Sequence, residues 1–316
     1  RTDSPCSQRV GPCPCIRLSH PVGSRLLIAD DLSPLGQVTM SSNHAPTSSN
    51  APQNRSQDRP SSDAAAQRVL VAIPVFNEQR TVRGVVERVL HYCKNVVLID
   101  DGSTDQTPEI LRSLPVTTLR HPHNQGYGAS LIDAFGFAQA RGYDWVITMD
   151  CDEQHEPGSI PAFIDLMDGP WDIISGSRYL ASLDENTSPP ADRRAINRAM
   201  TEELNARLGA RLGLTLTDSF CGFKAHRVAP LRKMSLSQVG YAFPMQLWVQ
   251  AAALRLSVVE LPVKLIYKDL TRSFGAALDD PGTRLQHYRQ VLHCELQRWT
   301  HLLPEPAVAD VLPCGE

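Results

Sequence analysis

From Arg68 onward, short runs of β-branched residues alternate with stretches whose apolar residues recur at helical spacing, which restricts the chain to a mostly parallel α/β sheet. Val69 to Ile73 reads as the first strand, and Val82, Val85, Val86, Val89 and Leu90 as the buried face of the helix after it. Val96 to Ile99, Val116 to Leu119, Trp145 to Met149 and Trp171 to Ser175 read as further strands, with helices predicted over Ser130 to Ala140 and Arg194 to Leu212. Asp105 or Thr107 is placed to cap a helix carrying Pro108 and Glu109 in its first turn. Past Asp218 the pattern predicts a helix from about Pro244 to Leu254, a strand pair within Val258 to Ile266 and an amphipathic helix over about residues 284–303. Acidic residues stand just past two strand ends, at Asp100 and Asp150. Open α/β sheets bind their ligands there.

Residues 1–66 hold 8 of the 24 prolines and none of the aromatic residues, so this segment is expected to be a disordered leader. Residues 67–316 then form one domain, long enough to bury roughly three quarters of its unfolded surface. Because the chain opens on Arg1 and Met40 precedes an ordinary polar linker, residues 1–39 are expected to come from an upstream start. The domain carries 25 Lys and Arg against 29 Asp and Glu, a balance that argues against nucleic acid as a partner. No apolar run approaches the length of a membrane-spanning helix, and the opening residues, without a short apolar stretch and small-residue cleavage site, are not expected to act as a secretory signal. A cytoplasmic location is the expectation. The eight cysteines form no regular framework and are expected to stay reduced.

Three segments carry chemistry. Asp150-Cys151-Asp152-Glu153-Gln154-His155 places oxygen ligands on one loop, suited to a small hard cation such as Mg²⁺ or Mn²⁺, although an acidic loop before Pro157 also caps a helix. Asp100 and Asp101 offer acceptors to a nucleoside, while Asp101-Gly102 is equally a turn pair. Phe76 offers a flat face for a base and Glu78 an acceptor for ribose hydroxyls. His121, His123 and His155 lack the spacing of a metal site, and Cys151 and Cys221 lack an adjacent base.

Six segments stand in a set order: Ile73 to Glu78, Asp100 to Asp105, Asn124-Gln125-Gly126-Tyr127-Gly128, Asp150 to His155, Gly176-Ser177-Arg178-Tyr179 and Asp218 to Lys224. That order resembles family 2 glycosyltransferases, closest to the dolichol- or polyprenol-phosphate mannose synthase branch. The resemblance covers roughly residues 68–268 and implies an α/β nucleotide-sugar-binding fold of the type called GT-A, a mostly parallel sheet flanked by helices, with inverting transfer. It implies nucleotide contacts from Pro74, Phe76, Glu78, Asp100, Asp101, Gly126 and Asp150, with Asp100 either holding its loop or sharing that role. It further implies metal ligation by Asp150, Asp152 and Gln154, and contacts of Arg178 and of Arg193 or Arg194 to the sugar phosphate or acceptor phosphate. Asp218 and Arg178 are the catalytic candidates it yields.

The resemblance thus implies a hexose moved from a UDP- or GDP-sugar to a polyprenol phosphate at a membrane surface, with Mg²⁺ or Mn²⁺ as cofactor. A hydroxyl acceptor would need a base, for which Asp218 is the matching residue; a phosphate acceptor is already anionic, and Asp218 would then position its neighbours. A soluble relative acting on a saccharide or small hydroxyl acceptor, and an idle nucleotide-sugar-binding protein, are the competing readings. The chain departs from the branch after its last strands, where it reads Tyr267-Lys268-Asp269-Leu270-Thr271-Arg272, with Arg272 the candidate to close over the diphosphate. The final helix sets Leu285, Tyr288, Leu292, Leu296, Trp299 and Leu303 on one face, with Arg284, Arg289 and Arg298 elsewhere. That stripe suits either a membrane surface or the protein's own core.

Overall fold

The computed structural model describes residues 68–180, 189–264, 266 and 275–314. The expected leader lies outside the described residues. Seven strands form one sheet: β1 (Val69–Val75), β2 (Val96–Asp100), β3 (Thr117–Arg120), β4 (Trp145–Thr148), β5 (Ile173–Ser177), β6 (Lys224–Arg227) and β7 (Val258–Pro262). Their spatial order is β3-β2-β1-β4-β6-β5-β7. All neighbours pair parallel except β6, which runs antiparallel between β4 and β5.

The alternation of side chains along β1 explains the layers. Val69, Val71, Ile73 and Val75 enter one buried cluster with α1 (Val82–Tyr92), α2 (Thr107–Arg112) and α4 (Ile160–Leu166). Leu70 and Ala72 enter the opposite cluster with α3 (Tyr127–Ala140) and α6 (Val228–Leu231). Around Ile173 of β5 and Val258 of β7, a third cluster gathers α5 (Ala191–Leu212), α7 (Phe243–Ala253), α8 (Pro281–Arg298) and α9 (Glu305–Val308). Both faces of the sheet are therefore covered, as a mostly parallel sheet requires.

Several boundaries differ from the sequence pattern. The pattern misses β6, because Lys224-Ala225-His226-Arg227 has no β-branched run, yet Lys224 and His226 are both buried. Only one strand of the expected pair lies among the described residues, and it ends at Pro262, which has no N–H for a ladder. Helix α3 starts three residues before Ser130, on Gly126. Helix α8 begins where the Asp280 carboxylate accepts from the Thr283 N–H at 2.7 Å, and it stops at Arg298. Its apolar stripe, Tyr288, Leu292 and Leu296, packs into the third cluster, so the stripe serves the protein's own core.

A buried polar knot fixes α8 to α7. The Glu295 carboxylate accepts from Gln246 Nε2 at 3.0 Å, Gln250 Nε2 at 2.6 Å and Trp299 Nε1 at 2.8 Å. Gln246 Oε1 in turn accepts from the N–H groups of Ser237 and Gln238, holding the loop whose Val239 carbonyl receives the Ala129 N–H.

Candidate active site

The loops after β1, β2 and β4 meet the N-terminal turns of α3, α5 and α8 around a cleft of about 700 Å³. Its acidic wall includes Glu78, Asp101, Asp150 and Asp152, and its basic wall Arg178, Arg193 and Arg284. Pro74, Phe76, Gly126 and Gln154 also line it.

The first two loops are latched together. Asn77 adopts a left-handed conformation with φ 56°. Its N–H donates to Ser103 Oγ at 2.9 Å, and its side-chain carbonyl accepts from the Thr104 N–H at 2.9 Å. Asp100 does not reach the cleft. It is fully buried, accepts from the Ser103 N–H at 2.9 Å and pairs with Arg120 Nε at 3.1 Å, so it shapes the loop. Asp101 does line the cleft, while accepting from the Gln125 and Gly126 N–H groups at 2.7 and 2.9 Å. Gly126 has φ 105°, and a Cβ there would strike the Val239 carbonyl.

His121 braces Asp101 from behind. Nδ1 lies 2.6 Å from Asp101 Oδ1 and Nε2 lies 2.7 Å from Asp133 Oδ2. Carboxylates only accept, so both ring nitrogens donate and the ring is an imidazolium. Burial by itself pushes the ring pKa down, and the bonds to Asp101 and Asp133 outweigh it, leaving the value above 6.5. The stabilisation is therefore complete below the unfolded-state value of 6.5 and is lost as pH rises through the raised folded-state value. His121→Gln should lose about 1–2 kcal/mol near pH 6 and show a flatter stability profile on the alkaline side, read from urea midpoints across pH. Equal slopes in both proteins would refute the charged brace.

The loop after β4 is similarly built. Tyr127 donates to Asp150 Oδ1 at 3.0 Å, the Asp150 N–H donates to His155 Nδ1 at 2.9 Å, and the Gln154 N–H donates to Asp152 Oδ1 at 3.1 Å. Glu153 sits at φ 60°, a costly conformation of the kind that concentrates at functional loops. Burial drives the His155 pKa down to about 4, so its ring is neutral and its Nδ1 is occupied as an acceptor. Gly222 leaves the space this loop needs, since a Cβ would come within 2.7 Å of Tyr127 Oη and 2.8 Å of Asp150 Oδ2.

Among the described residues no three His, Cys, Asp or Glu side chains converge into a metal cage. Asp150, Asp152 and Gln154 instead present oxygen donors from one loop to an open cleft. That donor set fits Mg²⁺ or Mn²⁺, which takes one or two carboxylates and completes its shell with water and substrate phosphate.

Asp218 lies behind the basic wall, fully buried and outside the cleft lining. Arg178 Nε and Nη2 grip its two oxygens at 2.6 and 2.9 Å, and Asn197 Nδ2 donates at 2.8 Å. The N–H groups of Arg178, Phe220 and Cys221 donate as well, each at 3.2 Å. Burial opposes ionisation, but the Arg178 charge and these hydrogen bonds hold the carboxyl at about 2. Burial also pushes the Cys221 thiol up to about 11, which leaves it an unreactive thiol.

Of the two arginines predicted as alternatives, Arg193 lines the cleft, whereas Arg194 lines a separate groove beside α5. Arg272 lies outside the described residues. Sequence reasoning missed Arg284, placed on the polar side of the last helix; it is buried, bonded to Asp192 Oδ2 at 2.5 Å and the Leu278 carbonyl at 2.8 Å. It also missed the stack of Tyr127 on Tyr241, with centroids 5.8 Å apart, for which the only sequence signal was Tyr127 between two glycines.

Residues 70–236 match the family described as Glycosyl transferase family 2. A polyprenol monophosphomannose synthase of Mycolicibacterium smegmatis is 30% identical over 222 residues, covering 67% of this chain and 82% of that protein. An undecaprenyl-phosphate mannosyltransferase of Micrococcus luteus is 29% identical, covering 65% of this chain and 86% of its own. Among solved structures, glucosyl-3-phosphoglycerate synthase from Mycobacterium tuberculosis, in complex with Mn²⁺, UDP and glucosyl-3-phosphoglycerate, superposes with a TM-score of 0.57. That match covers 79% of this chain and 88% of the other at 18% identity, a likeness of fold.

Proposed function

From the premise that this chain belongs to glycosyl transferase family 2 and is a glycosyltransferase of GT-A fold, we propose that it moves a hexose from a UDP- or GDP-sugar to a polyprenol phosphate with inversion. The observation that carries the acceptor class is Asp218, whose carboxylate accepts six hydrogen bonds. A carboxylate so engaged and so acidic is no base for a hydroxyl. An acceptor that arrives as a phosphate needs none, and the Arg178, Arg193 and Arg284 wall suits its charge. The names of the Mycolicibacterium and Micrococcus relatives support the same acceptor.

In this mechanism Phe76 offers its face to the base, and Glu78 with Asp101 flanks the nucleoside. Asp150, Asp152 and Gln154 would hold a divalent cation, which when bound neutralises charge building on the departing diphosphate. The acceptor phosphate oxygen attacks the anomeric carbon from the face opposite the diphosphate. Arg178, fixed by Asp218, stabilises the charge that moves in this displacement. No helix among the described residues is long and apolar enough to cross a membrane, so the lipid phosphate would be met at the membrane surface.

The test is calorimetric titration of the full chain with UDP, GDP and their glucose and mannose conjugates, with and without Mn²⁺, followed by transfer assays. Metal-dependent binding of one base and transfer to polyprenol phosphate in detergent are expected. Transfer only to saccharides without lipid would overturn the acceptor class, and a folded sample that binds no nucleotide would overturn the donor.

A further inference from the structure

Ser130, one turn into α3, is fully buried, its hydroxyl has no hydrogen-bond partner among the described residues, and it lines the cleft. A serine within a helix ordinarily turns its hydroxyl to the carbonyl four residues back. Here the Gly126 carbonyl receives the Ser130 N–H at 3.2 Å, and the hydroxyl stays apart.

Packing does not call for a serine. Ser130, Ala134 and Ala138 follow one another at four-residue spacing on the stripe of α3 that faces the sheet, and the two alanines fill the lower positions, fully buried. An alanine would continue the stripe without leaving a buried polar group unmet, a costly arrangement unless something else meets it. Helix α3 packs on β1, and the cleft residues at the end of β1 are Pro74, Val75 and Phe76. Phe76, just past the end of β1, is 43% exposed and lines the same cleft as Ser130. The metal loop and the arginines supply the charged partners a diphosphate needs. A neutral hydroxyl that both donates and accepts suits the edge of a base.

We propose that the Ser130 hydroxyl recognises the nucleobase of the donor, meeting a polar edge atom of a base laid against Phe76. This rests on the donor reading above and adds a residue that helps choose among bases.

The experiment compares wild-type chain with Ser130→Ala by calorimetric titration in Mn²⁺, using UDP, GDP, their 2′-deoxy forms and inorganic pyrophosphate. Affinity for the preferred nucleoside diphosphate should fall about 10-fold, and equally in its 2′-deoxy form, as loss of one neutral hydrogen bond predicts. Pyrophosphate affinity should not change, preference between UDP and GDP should narrow, and the ligand-free unfolding midpoint should not drop. Unchanged nucleotide affinity would overturn the proposal, as would a loss shared by pyrophosphate or abolished in the 2′-deoxy nucleotide. Wild-type protein that binds neither nucleotide would instead remove the donor reading on which it rests.

Discussion

Asp218→Asn should cut glycosyl transfer by about 100-fold or more while changing nucleoside diphosphate affinity by less than about 3-fold. The reason is geometric. Every hydrogen bond at the Asp218 carboxylate is one it accepts, from the Arg178 guanidinium, the Asn197 amide and three backbone N–H groups. An amide turns two of its hydrogens toward groups that are themselves donors, so the Arg178 guanidinium loses its fixed place. Breaking a buried pair of this kind also costs about 3–5 kcal/mol of stability, measurable by denaturant unfolding. If Asp218 were instead the proton acceptor, formate added to the variant should restore turnover; on the positioning account it should not.

The same pair sets an acid limit. The folded-state value of about 2 lies below the ordinary 3.8, so the contribution is present above 3.8 and is lost as pH falls toward 2. Asp218→Asn should remove that part of the acid dependence of unfolding, and the wild-type rate profile should show no limb from this group near neutrality.

Asp152→Ala is expected to lower Mn²⁺-dependent affinity for the nucleotide sugar by at least about 100-fold, exceeding the loss usual for residues that merely support metal ligands. Its side chain is half-buried at the cleft, outside the three apolar clusters, so stability should change by no more than about 0.5 kcal/mol. Titration with and without Mn²⁺, beside a chemical melt, separates the two effects. Retained metal-dependent affinity would remove Asp152 from the ligand set.

Where hydrophobic period alone decided the structure, the sequence was legible. The first five predicted strands were all found; Val, Ile and Leu dominate the first two, β-branched and aromatic residues mark the next three, and the valines of α1 recur at helical spacing. β6 escaped notice because burial there falls on Lys224 and His226, whose place depends on strands distant in the chain. The same limit applies to the site. Glu78, Asp101, Asp150 and Asp152 were readable from loops at strand ends, whereas the split between Asp101 facing the cleft and Asp100 facing inward depends on a partner, Arg120, 20 residues away from Asp100. Arg284 was misjudged for a related reason: helical spacing assigned it to the polar side, and only the approach of Asp192 and Leu278 encloses it.

The antiparallel placement of β6 has a mechanical meaning. Its strand neighbours are β4, which leads to the proposed cation ligands, and β5, which leads to Arg178, and the segment entering it carries Asp218 and Gly222. The Thr148 hydroxyl at the end of β4 donates to the Gly222 carbonyl at 2.8 Å, welding that segment to the ladder. The span between the loop of Asp150 and Asp152 and the Arg178–Asp218 pair is thus gauged by a rigid frame, while the rims of the cleft come from helix ends and loops. Redesign for a different acceptor belongs at the first turns of α5 and α8, where the rim can be recut without disturbing the gauge.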